Sequence, residues 1–358
     1  FFFVTMVRIS KPAIFGVGAV AVGGALWYFN APKPSKKEPI ALPKELQQQP
    51  IYVINGFYMA MRKKYTKPPA TIHYFLTEWD SSKLSWEDFR GQVLGATDPA
   101  TAAPEAVRRQ ILDKWEELGL KSMPNVGDNG VHASASPFEA MAERINWVGA
   151  DMKTDAFAQA MVASGVSEQT ILEWTKDPQV PLEGKKGSLF DFLEDMNSAD
   201  CLAKAAKIAG ATGTVPEYTK NEAYVFIKPH AVTPKVVDLV KEQFAKKEVT
   251  ILSEGRLDAK TIEDKLLIDN HYYAIANKAS LTKPEALNPP EAKQKDFEKL
   301  FGISWAQALK EGKVYNAVDA CKVLSIDGNQ MDKLWAKAKD SGNLVKFGGG
   351  FYAGKVEP

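Results

Sequence analysis

The amino-acid sequence predicts an α+β sandwich, and two observations carry that prediction. The first is a strand–helix–strand run. Ala223-Tyr-Val-Phe-Ile-Lys228 is a continuous apolar stretch of buried-strand length. Pro234 follows Thr233 and opens a helical spacing through VVDLVKEQF, and Val249 to Leu257 reads as a second strand. Strand, helix and strand joined by short links pack as two layers. The second is a further strand candidate, ATIHYFLTEW at 70–79, flanked by helical patterns. From Pro104, the spacing of Val107, Ile111 and Trp115 predicts an amphipathic helix running to Gly119. Pro137 after Ser136 opens another over PFEAMAERINWV. Residues 257–340 read mostly helical, broken near Pro284 and Pro289.

Composition narrows the class. The chain has 358 residues, 45% of them hydrophobic and 25% charged, which fits a globular protein and excludes a disordered or collagenous one. Lys plus Arg is 45 against 44 Asp plus Glu, so the net charge is +1. That balance argues against nucleic acid as a partner held by bulk electrostatics. Cys201 and Cys321 are too few for a disulfide framework and lack metal-ligand spacing.

The N-terminal region reads differently from the rest. Residues Pro12 to Phe29 carry no charge, with Arg8 and Lys11 before them and Lys33, Lys36 and Lys37 after. About 18 apolar residues just reach a bilayer span. Gly16, Gly18, Gly23 and Gly24 suit close helix packing, and Trp27 and Tyr28 suit an interfacial belt. Residues 1–30 are therefore expected to be a single-pass anchor in the lipid bilayer. Residues 31–49, rich in Pro, Lys and Gln, read as a tether.

Two segments suggest chemistry. In Asn129-Gly-Val-His-Ala-Ser-Ala-Ser-Pro-Phe-Glu-Ala-Met-Ala-Glu143, His132 stands in a small-residue turn just before a helix. Helix-start N–H groups attract phosphate, Ser134 and Ser136 add hydroxyl donors, and Glu143 offers a carboxylate to orient the imidazole through its other nitrogen. Taken alone, a capping or surface histidine explains His132 as well. In Phe226-Ile-Lys-Pro-His230, Lys228 ends a buried strand, which suits a phosphate clamp or an ordinary solvated strand end. Gly348-Gly-Gly350 lacks a following Gly-Lys-Ser/Thr and reads as a turn.

Together these segments resemble nucleoside diphosphate kinases. AYVFIKPHAVTPKVVDLVKEQFAKKEVTI is similar to that family's opening strand–helix–strand, and LLIDNHYYAIA to its tyrosine segment. VLGATDPATAAPEAVRR resembles its Thr-x-Pro…Arg nucleotide segment, and NGVHASASPFEAMAE its active-histidine segment. Algal and protist relatives of the family carry similar blocks, FGGGFY among them. The resemblance covers a little under half of the chain and implies a ferredoxin-like sandwich.

The blocks stand in swapped order, since His132 precedes Lys228. Joining residue 358 to residue 50 restores the family order, so the resemblance implies a circular permutation with Tyr52 close to Tyr352. It divides the chain into 50–147 (active-histidine part), 148–216 (helical insertion), 217–275 (Lys-Pro part) and 276–358 (helical extension returning to residue 50).

Carried over by resemblance, His132 is the phosphate-accepting nucleophile, oriented by Glu143, with Ser134 in its motif and Tyr272 beside it. Lys228 and Arg108 contact phosphates, and Asn129 and Thr97 the nucleotide. The implied substrate is ATP or another nucleotide with Mg²⁺, and no protein ligand to a metal is implied. The family's His-Gly-Ser-Asp-Ser is here His132-Ala-Ser-Ala-Ser136, so the glycine and the aspartate are absent. Its Lys-Pro-Asp-Gly is Lys228-Pro-His-Ala231, and Arg90 lies one step from the expected arginine, at Gly91. The anchor, swapped order, insertions and altered motif lead to the expectation of an accessory structural subunit. It would sit among other subunits of a mitochondrial inner-membrane respiratory-chain or ATP synthase complex, with a plastid membrane as the competing site. The alternative is an active membrane-anchored nucleoside diphosphate kinase working through phospho-His132.

Overall fold

The computed structural model describes residues 49–348 and 350–357. The anchor expected at 12–29 and nearly all of the tether lie outside them. Among the described residues, no helix is long and apolar enough to cross a membrane.

The architecture is mixed α+β. The strands, in chain order, are β1 (Ile51–Ile54), β2 (Thr71–Asp80), β3 (Val131–Ala133), β4 (Gln179–Leu182), β5 (Lys185–Ser188), β6 (Lys220–Ile227), β7 (Thr250–Asp258), β8 (Val314–Asn316), β9 (Leu344–Gly348) and β10 (Phe351–Val356). They form two four-stranded sheets, ordered β3-β6-β2-β7 and β8-β1-β10-β9, and a separate β4-β5 hairpin.

The β3-β6-β2-β7 sheet is antiparallel throughout and is covered on both faces. Its central strand β6 shows the alternation that a two-sided core requires. Ala223, Val225 and Ile227 face a core shared with Phe75, Phe89, Val107, Ile111 and Phe244. Tyr224 and Phe226 face the other core, with Tyr65, Trp147, Ile262 and Ile268. The helix Pro234–Lys246 forms as its sequence suggests, capped by Thr233 Oγ1, which accepts the Val236 N–H, with Pro at its start. The helix from Val107 stops at Asp113, short of the expected Gly119.

The insertion carries its own core of Phe157, Met161, Ile171, Leu189 and Cys201, into which Phe138 and Met141 reach. It is not wholly helical, because β4 and β5 lie within it. The segment 276–358 likewise contributes β8, β9 and β10. The chain from residue 50 adds β1 to that sheet, in register Ile51↔Val356 and Tyr52↔Lys355. The expected neighbourhood of Tyr52 and Tyr352 follows: the Asn55 N–H donates to the Tyr352 carbonyl at 3.1 Å. Alternate residues of β1 enter opposite cores, Tyr52 and Ile54 on one side, Ile51 and Val53 on the other.

Candidate active site

The site is built where β3, β6 and the helix Pro137–Val148 meet. Ser136 caps that helix by accepting the Glu139 N–H at 3.1 Å, Pro137 occupies its first turn, and Gly149 ends it in the left-handed conformation. The helix then directs Glu143 inward, and the side chain is almost wholly buried.

Gly130 sets the start of β3. Its φ is +89°, and a Cβ there would stand 2.7 Å from Ile111 Cδ1. Its N–H donates to His230 Nε2 at 3.1 Å, and its carbonyl accepts the Lys228 N–H at 2.9 Å. Gly130→Ala is therefore expected to cost about 1–3 kcal/mol, from the left-handed backbone and the clash together. Denaturant unfolding measures this, and an unchanged midpoint contradicts it.

Glu143 is the hub. Its Oε1 lies 2.7 Å from His132 Nε2 and 3.2 Å from His271 Nδ1, and its Oε2 takes the Ser134 hydroxyl at 2.5 Å. Ser134 Oγ also lies 3.0 Å from the Tyr224 carbonyl, but a hydroxyl has one proton, and the charged, nearer carboxylate is the better acceptor. The His132 ring stacks on Phe226, centroids 4.7 Å apart, and meets the edge of His271 at 4.7 Å.

Burial pushes the His132 imidazole down to about 4, with His271 and Lys228 adding to the effect and Glu143 opposing it. Burial would raise Glu143, but His132, His271 and the hydrogen bonds overcome it and hold the carboxyl well below its usual range. The ring is neutral at pH 7, so Glu143 is stabilised there by N–H and O–H donors rather than by an imidazolium. Its carboxylate draws the ring proton to Nε2. His132 Nδ1, which makes no hydrogen bond among the described residues, then carries the lone pair.

Lys228 donates to the Gly127 carbonyl at 3.3 Å. Burial, Arg108 and Lys64 lower it to about 8. Arg108 is pinned to carbonyls, donating to Gly95 at 2.6 Å and to Val131 at 3.0 and 3.3 Å. Burial, then Arg90, brings it down to about 10, still cationic at neutral pH. Asn129 donates to the Thr97 carbonyl at 2.9 Å, while its Oδ1 is buried without a partner. The Thr97 residue itself is exposed.

His132, Glu143 and Ser134 thus form one connected network. Lys228 and Arg108 supply the positive charge around it. Tyr272 is one place removed: it packs on His271, centroids 4.5 Å apart, and His271 meets His132 directly. His271 and Glu139 were not singled out from sequence. Glu139 precedes Glu143 by one helical turn, and burial and the Glu143 charge push its carboxyl well above its usual range. The signal for His271 was its place beside Tyr272; for Glu139 it was the four-residue spacing.

Arg90 pairs with Glu194 at 2.9 Å and Asp195 at 2.5 Å, both in the insertion. The Asp195 N–H donates to the Ala135 carbonyl at 2.9 Å, so the insertion seals against the histidine segment.

Comparison with known proteins gave no match: no family model, no curated protein and no solved structure matches the chain.

Proposed function

We propose that the chain is a phosphotransferase in which His132 Nδ1 accepts the γ-phosphoryl of a nucleoside triphosphate. The observation that carries this reading is the buried Glu143 carboxylate on His132 Nε2 at 2.7 Å, which leaves a neutral ring with a free Nδ1. A bond forms between Nδ1 and phosphorus as the bond from phosphorus to the bridging oxygen breaks, and the diphosphate leaves. Attack by a second diphosphate on phospho-His132 reverses the step. Lys228 and Arg108 would balance the charge of the moving group. Mg²⁺ would arrive with the nucleotide and be held by its phosphates. The donors around His132 are imidazoles and committed carboxyls, with alanine at 135, and they do not form the oxygen cage a resident Mg²⁺ needs.

The fold supports the same reading. Taken as 217–275 followed by 50–147, the strands run β6, β7, β2, β3, and the sheet becomes an antiparallel 4-1-3-2 arrangement with the helix Pro234–Lys246 between the first two. That is the strand order of a ferredoxin-like sandwich, and it supports reading the chain as a circular permutation of one. The pairing of Ile51 with Val356 supports the join of residue 358 to residue 50 on which that order rests. The single-residue offset of Arg90 coincides with a π-helical turn, Phe89–Leu94, and such a turn accommodates one extra residue.

A second reading is favoured by one observation. Arg108 is spent on backbone carbonyls and Arg90 on Glu194 and Asp195, so the phosphate grip is internally satisfied. In that reading the domain is a building block, an accessory subunit of a mitochondrial or plastid membrane complex, anchored through residues 12–29.

Phosphoryl uptake against pH separates the two. On the first reading, uptake in a single turnover holds between about 4, where His132 protonates, and about 8, where Lys228 loses its charge. An acid limb near 6.5, the ordinary imidazole value, contradicts the site as described, and no uptake at any pH favours the building block.

A further inference from the structure

We propose that His132, Glu143 and His271 form a site for zinc, and that its occupancy silences His132 as a phosphoryl acceptor. The second half rests on the function proposed above. The first half stands on geometry alone.

One ligand atom from each of His132, Glu143 and His271 lies within 4.8 Å of the other two, and Glu143 Oε1 faces His132 Nε2 and His271 Nδ1. The carboxylate oxygen is already 2.7 and 3.2 Å from the two nitrogens. Zinc bonds of about 2.0–2.1 Å set tetrahedral ligands about 3.3–3.4 Å apart, so small side-chain shifts admit the ion. The donors come from three separate elements: β3, the helix Pro137–Val148 and the helix Leu267–His271. Two imidazoles and one carboxylate suit zinc and do not suit magnesium or calcium, which take oxygen cages.

The surroundings fit as well. Ser134 holds Glu143 Oε2 at 2.5 Å, which fixes the carboxylate and leaves Oε1 to ligate. The His132 side chain is 17% exposed while Glu143 and His271 are each 5% exposed, so His132 is the most open of the three ligands. Trp147 Nε1, 3.4 Å from His271 Nδ1, makes the contact that the ion would replace.

The consequence for His132 follows from proton placement. A neutral imidazole has one N–H. Without the ion, Glu143 draws it to Nε2 and Nδ1 is free. With the ion on Nε2, the proton must sit on Nδ1, and the lone pair that attacks phosphorus is gone. Zinc and phosphoryl therefore exclude one another at this ring.

The test uses the full chain stripped with a chelator. Co²⁺ alone is titrated in as the probe and then displaced by Zn²⁺. The expected result is the visible absorption of four-coordinate Co²⁺ at one equivalent, with His271→Gln weakening Zn²⁺ affinity more than about tenfold. ¹⁵N shifts of the wild-type ring nitrogens give the same answer without a variant. Those of His132 Nε2 and His271 Nδ1 move on Zn²⁺ addition, and those of His73 and His230 do not. One equivalent of Zn²⁺ lowers phosphoryl uptake in the wild type, while the uptake of His271→Gln, at whatever level, is indifferent to it. Absent absorption, or shifts at His73 or His230 instead, overturns the site. Uptake that persists with the site filled overturns the silencing. Zinc bound with no uptake under any condition upholds the site and counts against the phosphotransferase instead.

Discussion

The His132→Asn chain takes up less than about one thousandth of the label that the wild type accepts from γ-labelled ATP with Mg²⁺, because the attacking lone pair is removed. Asn is short and polar, so the pocket beside Phe226 and Glu143 loses little packing, and the loss is chemical. Glu143→Gln gives a graded result: uptake slows by about 10–100-fold, as when a group that orients an imidazole is neutralised. It keeps the shape of the hub but removes the negative charge that draws the ring proton to Nε2. Unchanged uptake by His132→Asn ends the assignment of His132 as nucleophile.

The second large effect concerns how the insertion is held. Arg144 is buried, donating from Nε to Asp155 at 2.7 Å, with Nη2 3.5 Å from Glu222 Oε2. Asp155 is 3% exposed and also caps the helix Ala156–Ala163, accepting the Ala158 N–H at 3.0 Å. Arg144→Leu leaves that carboxylate buried without a cation. Breaking one side of such a pair costs about 3–5 kcal/mol, far more than the same change at the surface. The double variant Arg144→Leu/Asp155→Asn recovers more than half of the loss, since Asn keeps the cap and removes the stranded charge. Denaturant unfolding of the wild type and the two variants reads both values. A single-variant cost below about 1 kcal/mol means that this pair does not hold the insertion.

The elements that carry the site were legible because their signals are local. A continuous apolar run marked β6, ATIHYFLTEW marked β2, and the Ser136-Pro137 and Thr233-Pro234 pairs marked their helices to the residue. The resemblance of the active-histidine segment led to the expectation that Glu143 orients His132, and the structure has their contact at 2.7 Å. The second sheet was not legible. β8 has three residues, and β1 finds its partner at the far end of the chain, Ile51 against Val356, a pairing that leaves no local trace. The helix from Val107 was overextended because Trp115 continued its apolar stripe, although the helix closes at Lys114. The engagement of Arg90 by Glu194 and Asp195 was invisible for the same reason, since more than a hundred residues separate the partners.

The identity of the phosphorylated atom tests the central claim most directly. Phosphorylated wild-type protein, kept alkaline and studied by ³¹P–¹⁵N correlation, is expected to carry one acid-labile phosphoryl group on His132, bonded to Nδ1, with Nε2 still protonated toward Glu143. A phosphoryl group on Nε2, on Ser134 or on another histidine, or none at all, contradicts the account.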